Sequence, residues 1–303
     1  MIQGGPTSSL GQLIPREMLG ELRDHSALMS APPELRRALQ EDGYLFLRGA
    51  LERNEVMAAR AEVFDRLAAV GEINEPAIDG IFSGTSKRRE LISDLGAFWR
   101  SICEGPCLRR VTHAGPMVRI MEHIFGGPVR AFDFLWLRAM PPGRASAFHF
   151  DHVYMNRGAD SLVTVWTPLG EVPIEDGPIL IMEGSHRWTD LIEQFRGFDV
   201  DKDKSRPGHV TMEPVTLARE RGCRLLSADF QPGDILVMTM FTLHGSLDNR
   251  SPVNRIRLSC DTRYQLASDP IDERWVGPNP IGHGGGYASV SGARPLTAEP
   301  IRR

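Results

Sequence analysis

The stretch Ala147-Phe148-His149-Phe150-Asp151-His152 decides how the second half of this chain is interpreted. It lies in a short apolar run that is typical of a β-strand, in which residues two apart face the same side. His149 and Asp151 are therefore predicted to project together. One imidazole and one carboxylate at this spacing can occupy two adjacent positions on one metal ion. An ordinary surface strand shows the same pattern, so the motif needs support from elsewhere in the chain.

That support comes from residues 238–246, an apolar run that predicts a strand ending at His244. A histidine there is either a hydrogen-bonded core residue or a metal ligand. Two histidines and one carboxylate on one face of an octahedral ion leave three positions open, as in the non-haem iron(II) oxygenases. We predict that His149, Asp151 and His244 bind one such ion and form the catalytic centre.

A third segment, residues 255–263, alternates strictly between polar and apolar residues. It is either a half-exposed strand with a solvated face or a strand whose polar face lines a cavity. In a cavity, an arginine on that face can hold a dicarboxylate through two parallel hydrogen bonds. The polar face carries Arg255, Arg257, Ser259, Asp261 and Arg263.

These segments belong to a region of short β-type runs separated by turns, which predicts a sandwich or barrel and not a parallel α/β sheet. Helical periodicity precedes it, in residues 51–70, 91–103 and 108–125, with a break expected at Gly115-Pro116. The predicted strands cover residues 129–137, 147–154, 162–168, 179–182, 224–228, 235–243 and 255–264.

We interpret residues 1–303 as one domain. It consists of an N-terminal extension (1–32), a mainly helical part (33–127), a β core (128–265) and a C-terminal tail (266–303). The polar segment 188–221 interrupts the β core and is either a surface excursion or a lid over the site.

Composition narrows the functional class. The 303 residues carry a net charge of −4, and 41% are hydrophobic, so a substantial core can form and no basic surplus indicates nucleic acid. We see no signal peptide and no apolar run long enough for a membrane helix, and we expect a cytoplasmic protein. The four cysteines lack the spacing of a zinc site.

Taken together, these motifs resemble the phytanoyl-CoA dioxygenase family of iron(II)/2-oxoglutarate oxygenases. The similarity lies in the order His149-x-Asp151, a long gap, His244-Gly245-Ser246, and an arginine eleven residues after the second histidine, which is Arg255. The middle strands around residues 164–169, 176–180 and 184–187, and an early strand at 41–49, also look like that family. The resemblance spans roughly residues 39–264.

The resemblance implies a double-stranded β-helix, or jelly roll, of the cupin type with N-terminal helices packed on it. It also implies Fe(II), 2-oxoglutarate and O₂, with Arg255, helped by Ser246, pairing with the far carboxylate of 2-oxoglutarate. Thr164 and Trp166 are expected beside the cosubstrate, although Trp166 could equally be a core aromatic. Arg257 shares a face with Arg255 and is the alternative anchor.

For the reaction, the resemblance implies oxidation of an unactivated C–H bond with release of succinate and CO₂. Hydroxylation is the default, while desaturation, epoxidation and cyclisation stay open. The substrate is expected to be a secondary metabolite or an amino-acid-like compound, and the protein a monomer or homodimer without nucleic-acid or membrane partners. Candidate substrate contacts are Phe134, Arg138, Met140, Arg257 and Arg263, with Phe148 only if its strand twists.

Two other classes compete with this hypothesis. One is a metal-binding β-barrel that is not an oxygenase, such as a cupin isomerase, which would need no arginine anchor. The other is a binding or regulatory protein that kept the fold and lost catalysis, against which the intact His-Asp-His set argues.

Overall fold

A computed structural model of the chain describes residues 6–299, so residues 1–5 of the predicted extension and 300–303 of the predicted tail lie outside the described range. The helices form where the apolar residues recur at helical spacing. In the second helix, Val56, Ala59, Val63 and Leu67 are fully buried on one face. The helices of this half are α1 (Pro32–Asp42), α2 (Arg53–Ala68), α3 (Arg88–Leu91), α4 (Leu95–Cys103), α5 (Pro106–His113) and α6 (Gly115–Phe125).

Two of the predicted helices differ from the observed ones, for local reasons. The predicted helix 91–103 begins later, at Leu95, because the Asp94 side chain caps it by accepting a hydrogen bond from the Ala97 backbone N–H at 2.9 Å. The predicted helix 108–125 is broken at Gly115, as expected, and Pro116 occupies the first turn of the next helix.

The β core consists of two sheets that face each other. The first has the order β4-β12-β8-β14-β5, with β6 also paired to β14, and the second has the order β10-β7-β13-β9-β11-β3. Consecutive strands alternate between the sheets from β6 to β9 and again from β11 to β14, and this confirms the predicted double-stranded β-helix. The strands are β1 (Ser8–Ser9), β2 (Gln12–Leu13), β3 (Leu19–Glu21), β4 (Tyr44–Leu47), β5 (Val129–Ala131), β6 (Trp136–Met140), β7 (Phe148–His149), β8 (Val163–Pro168), β9 (Ile179–Met182), β10 (His209–Thr211), β11 (Leu225–Ser227), β12 (Ile235–Thr239), β13 (His244–Ser246) and β14 (Arg257–Leu266).

Alternation along each strand sorts side chains among three apolar clusters. The outer face of the first sheet packs against the N-terminal helices. The outer face of the second sheet, including Phe148 and Phe150, packs against two helices of the insertion, α7 (Thr189–Phe195) and α8 (Pro214–Arg221). A third cluster, around Phe46, Trp166 and Phe230, fills one end of the space between the sheets. The other end of that space is left for polar side chains.

The structure corrects the predicted strands that carry the metal motif. The predicted strand 147–154 contains only Phe148 and His149, and Asp151 begins a 3₁₀ turn. The predicted strand 235–243 ends at Thr239, and a turn leads to His244 on a separate strand in the opposite sheet. Both differences arise because the chain crosses between the sheets at these points.

The two ends of the chain and the insertion all take part in the fold. Strands β1 and β2 form a short hairpin, and β10 of the insertion extends the second sheet beside β7. The tail forms 3₁₀ turns at Gly286–Ser289 and Ser291–Ala293 against α4. Within residues 6–299, no helix has both the length and the apolar character that crossing a membrane requires.

Candidate active site

Three potential metal ligands meet at the open end of the space between the sheets. His149 on β7 and His244 on β13 are direct neighbours in the strand register, and their ring centroids lie 4.4 Å apart. Asp151 reaches the same point from the 3₁₀ turn, with its Oδ1 3.4 Å from His149 Nε2. One ligand atom from each residue lies within 4.8 Å of the other two. The sequence-predicted triad therefore converges, although its residues come from three separate elements.

The backbone orients both imidazoles for metal binding. His149 Nδ1 lies 2.9 Å from the Ala147 carbonyl oxygen, and His244 Nδ1 lies 2.9 Å from that of Thr242. Since a carbonyl only accepts, each Nδ1 carries the proton and each Nε2 is left as a ligand. Burial, with a smaller contribution from His149, lowers the pKa of His244 to about 4, which keeps its ring neutral.

Asp151 is held at both oxygens. Thr164 donates its hydroxyl hydrogen to Oδ2, and Arg263 Nη2 donates to Oδ1 over 3.2 Å. Burial would raise the pKa of this carboxyl, but the Arg263 guanidinium beside it outweighs that effect and holds the pKa well below its usual range. Thr164, which we expected beside the cosubstrate, thus contacts the metal-binding carboxylate.

This donor set fits iron(II). Two imidazole nitrogens and one ionised carboxylate on one side of an ion leave its other positions open, as the facial-triad enzymes require. Among residues 6–299 this is the one group of three or more histidine, cysteine or acidic side chains with metal-binding spacing.

The two candidate anchors for 2-oxoglutarate differ sharply in their surroundings. Arg255 is 32% exposed and its Nη1 lies 3.2 Å from Oδ2 of the buried Asp176. Arg257 is only 3% exposed, and its Nη1 donates to Ser259 Oγ at 2.6 Å.

Arg257 lacks a counter-ion in the described part of the chain. No carboxylate within residues 6–299 makes an ion pair with it, and its Nε has no hydrogen-bond partner there. Burial, together with the nearby Arg138 guanidinium, lowers the pKa of Arg257 to about 9. Its guanidinium lies 6.0 Å from the Trp166 ring, so Trp166 is both a core aromatic and a neighbour of this cation.

The Ser246 hydroxyl is already engaged. It accepts a hydrogen bond from the Ser146 backbone N–H at 2.8 Å and is buried. Ser246 therefore ties β13 to the segment before β7, next to both metal-binding histidines.

A cavity of about 960 Å³, lined at its inner end by His149 and Asp151, opens to the surface. Of the candidate substrate contacts, Arg138, Met140 and Arg263 line it, whereas Arg257 does not. Phe134 and Phe148 do not: the aromatic cluster with Tyr287 and Trp275 buries Phe134, and strand alternation turns Phe148 outward. For these two residues the expectation is corrected.

Sequence reasoning missed several cavity residues. Trp136 was detectable, because it shares strand parity with Arg138, and its ring lies 4.3 Å from the Arg263 guanidinium. His209 and Met212 of the insertion and His283 of the tail carried no local signal. The insertion thus forms part of the cavity wall, as a lid would.

The fold and the site define a non-haem iron, 2-oxoglutarate-dependent enzyme. The sequence profile of the family described as phytanoyl-CoA dioxygenase matches residues 39–257, which is more than half of the chain. This chain belongs to the phytanoyl-CoA dioxygenase family.

The chain is similar to a curated enzyme and to solved structures of two others. The chain is 28% identical over 271 residues to 1-deoxypentalenic acid 11-beta-hydroxylase of Streptomyces exfoliatus, covering 83% of this chain and 87% of that one. It resembles EctD from S. alaskensis in its apoform with a TM-score of 0.55 and 18% identity, covering 88% and 86% of the two chains. It resembles the non-haem alpha-ketoglutarate-dependent epimerase SnoN from nogalamycin biosynthesis with a TM-score of 0.54 and 19% identity, covering 85% and 95%. The two structural likenesses show the fold.

Proposed function

We propose that this enzyme hydroxylates an unactivated C–H bond of a small molecule that carries an anionic group, with 2-oxoglutarate as cosubstrate. The observation that carries the proposal is the convergence of His149, Asp151 and His244 at the inner end of a large cavity. Bound iron(II), together with 2-oxoglutarate and O₂, would supply the oxidising chemistry and release succinate and CO₂. The protein's contribution is to position the ligands, the cosubstrate and the C–H bond.

Within this proposal, Arg257 is the anchor for the far carboxylate of 2-oxoglutarate. It is a buried cation that pairs with no acidic side chain among residues 6–299, and it lies beside Ser259, whose hydroxyl can share the same carboxylate. Arg255 already neutralises Asp176. A dicarboxylate would satisfy the hydrogen-bonding groups that Arg257 leaves unused.

The charges near the cavity favour an anionic substrate. Arg138, Arg257 and Arg263 outnumber Asp151 and Asp261 by one positive charge on the inner faces of β6, β14 and the adjoining turn. Iron(II) adds two positive charges and 2-oxoglutarate removes two, so one positive charge remains.

Arg138 is the group we assign to the substrate anion. It lines the cavity, its side chain is 32% exposed, and its Nε donates to Asp261 Oδ2 at 2.6 Å. That single contact leaves the outer edge of its guanidinium available. The Streptomyces relative is named as the hydroxylase of an acid, which is consistent with this substrate class.

Hydroxylation is preferred over desaturation, epoxidation and cyclisation because the curated relative is named a hydroxylase. Asp151 also argues against halogenation, since it fills the coordination position that a halide ion would need.

The test is succinate release from 2-oxoglutarate by the purified protein supplied with iron(II), without and then with 1-deoxypentalenic acid as probe. We expect slow succinate release without the probe and its loss on metal chelation. We also expect faster release with the probe, together with a product heavier by one oxygen in the mass spectrum. Absence of any iron-dependent succinate would refute the oxygenase proposal and favour a metal-binding β-barrel without this activity.

A further inference from the structure

One side of the cavity is built by the C-terminal tail, which lies outside the segment matched by the family. The matched segment ends at residue 257, whereas Val290, Arg294 and Leu296 line the cavity. Membership of the family therefore says nothing about this side. Leu296 is 7% exposed and contributes an apolar surface there.

A buried ion pair holds this part of the tail. Arg88 and Glu72 are both fully buried and ion-paired to each other. Arg88 Nη1 donates to the carbonyl oxygens of Gly292 at 2.6 Å and Arg294 at 2.8 Å. Glu72 Oε1 accepts from the Leu296 backbone N–H at 3.0 Å. The pair thus binds the tail through its backbone at three successive places.

Two packing contacts fix the same segment. Tyr287 stacks on Phe134 with ring centroids 4.2 Å apart, and its hydroxyl accepts a hydrogen bond from the Leu135 N–H at 2.8 Å. Gly292 lies so close to Trp99 that a Cβ would come within 2.3 Å of the indole ring. Because a side chain at position 292 would clash with this ring, only glycine allows the tail to pack so closely against α4.

Glu72 and Arg88 hold the tail through a buried ion pair. Such pairs are often no more stabilising than hydrophobic side chains of the same volume, because desolvation offsets their attraction. What Glu72 and Arg88 provide here is directional binding of three backbone groups. The contribution of Glu72 and Arg88 is therefore to fix where this part of the tail lies beside the cavity.

We propose that the tail, residues 286–299, is the specificity wall of the substrate site, with Leu296 as the specificity-determining residue and Arg88 as a positioning residue. This inference rests on the proposed function and deepens it. Leu296 contacts the apolar body of a monocarboxylate whose anionic end lies toward Arg138. The residues proposed to bind iron and 2-oxoglutarate lie on other elements, so substitutions within residues 286–299 should leave those binding sites intact.

The test compares Leu296→Phe with the matched control Thr297→Phe. Thr297 is the next residue, is exposed and does not line the cavity. The probes are adamantane-1-carboxylate, which has a wide apolar body, and decanoate, which is narrow. Binding is measured by calorimetry on protein loaded with Ni(II) and 2-oxoglutarate, and succinate release without probe reports the iron and 2-oxoglutarate machinery.

We expect Leu296→Phe to weaken adamantane-1-carboxylate binding by about tenfold or more and decanoate binding less, because the larger ring narrows the site. Thr297→Phe should change neither affinity by more than about twofold. Equal effects of the two variants, unchanged affinities, or no binding of either probe to the wild type would overturn the inference. Wild-type protein that releases no succinate would instead defeat the proposed function, so the two failures are distinguishable.

The role of Arg88 is tested by the double variant Glu72→Gln, Arg88→Met, which avoids leaving one charge buried alone. Hydrogen exchange should become faster at the amides of residues 286–296, and adamantane-1-carboxylate affinity should fall, while Ni(II) affinity stays unchanged. Unchanged exchange in the tail would remove the positioning role. If this variant does not fold, the comparison of Leu296 with Thr297 still decides whether the wall sets specificity.

Discussion

Replacing Arg257 by methionine should sharply weaken 2-oxoglutarate binding without weakening the fold. In the free protein Arg257 is 3% exposed and has no carboxylate partner among residues 6–299, so its charge costs folding free energy. Methionine has similar length and no charge. We therefore expect the melting temperature of the metal-free protein to stay the same or rise.

The loss of affinity follows from the burial of the pair that 2-oxoglutarate would form. Truncating one partner of a buried, hydrogen-bonded charge pair costs about 2–5 kcal/mol. That corresponds to a rise in the dissociation constant of roughly 30-fold to 4,000-fold. Calorimetry with Ni(II)-loaded protein gives this constant directly, and the concentration of 2-oxoglutarate needed for half-maximal succinate release provides an independent measure.

The matched control is Arg255→Met, two residues before Arg257 and just ahead of β14. Arg255 is 32% exposed and pairs with Asp176, so this variant should lose stability and keep its 2-oxoglutarate affinity. The loss should be smaller than the roughly 3–5 kcal/mol of a fully buried broken pair. The reverse pattern, with affinity lost in Arg255→Met and kept in Arg257→Met, would refute the assignment and return the anchor to Arg255.

Other substitutions test the metal site and its supports. Asp151→Asn should abolish product formation, and a variant that still makes product would remove Asp151 from the iron. It should also destabilise the protein in thermal or urea unfolding, by less than the roughly 3–5 kcal/mol of a fully broken buried pair, because Arg263 keeps its 3.9 Å contact with Asp261. Thr164→Val keeps the side-chain shape but removes the hydrogen bond to Asp151. The Ni(II) affinity measured by calorimetry should therefore fall by about 10-fold to 100-fold. An unchanged affinity would show that this hydrogen bond does not orient the carboxylate. Gly245→Ala would place a Cβ 2.6 Å from the Phe148 ring. We therefore expect the free energy of unfolding to fall by about 1–3 kcal/mol. An unchanged free energy of unfolding would mean that β13 can shift to make room for the methyl group.

The sequence alone was sufficient for the class of fold and for the identity of the three metal ligands. Short β runs with turns between them predicted the barrel-like core, and the order of His149, Asp151 and His244 predicted the facial triad. Asp151 was identified by its place in the His-x-Asp motif, although it lies in a 3₁₀ turn and not in a strand. The strand pattern itself is local: a residue's type and its neighbours two positions away decide which face of a strand it occupies. The same local rule turned Phe148 away from the cavity.

Only the tertiary structure decided which side chains share an environment. Arg255 and Arg257 are two residues apart in one predicted strand, and nothing in their spacing shows that Arg255 lies before β14 and meets Asp176. Nor does it show that Arg257 is buried with no carboxylate partner among residues 6–299. Pairing of charges depends on residues far away in the chain, brought near by the crossing of strands between two sheets. The tail shows the same limit, because Leu296 joins the cavity wall through long-range contacts, including the hydrogen bond from its N–H to Glu72, more than two hundred residues earlier. Burial and long-range contact belong to the folded chain as a whole, so local patterns carry no record of them.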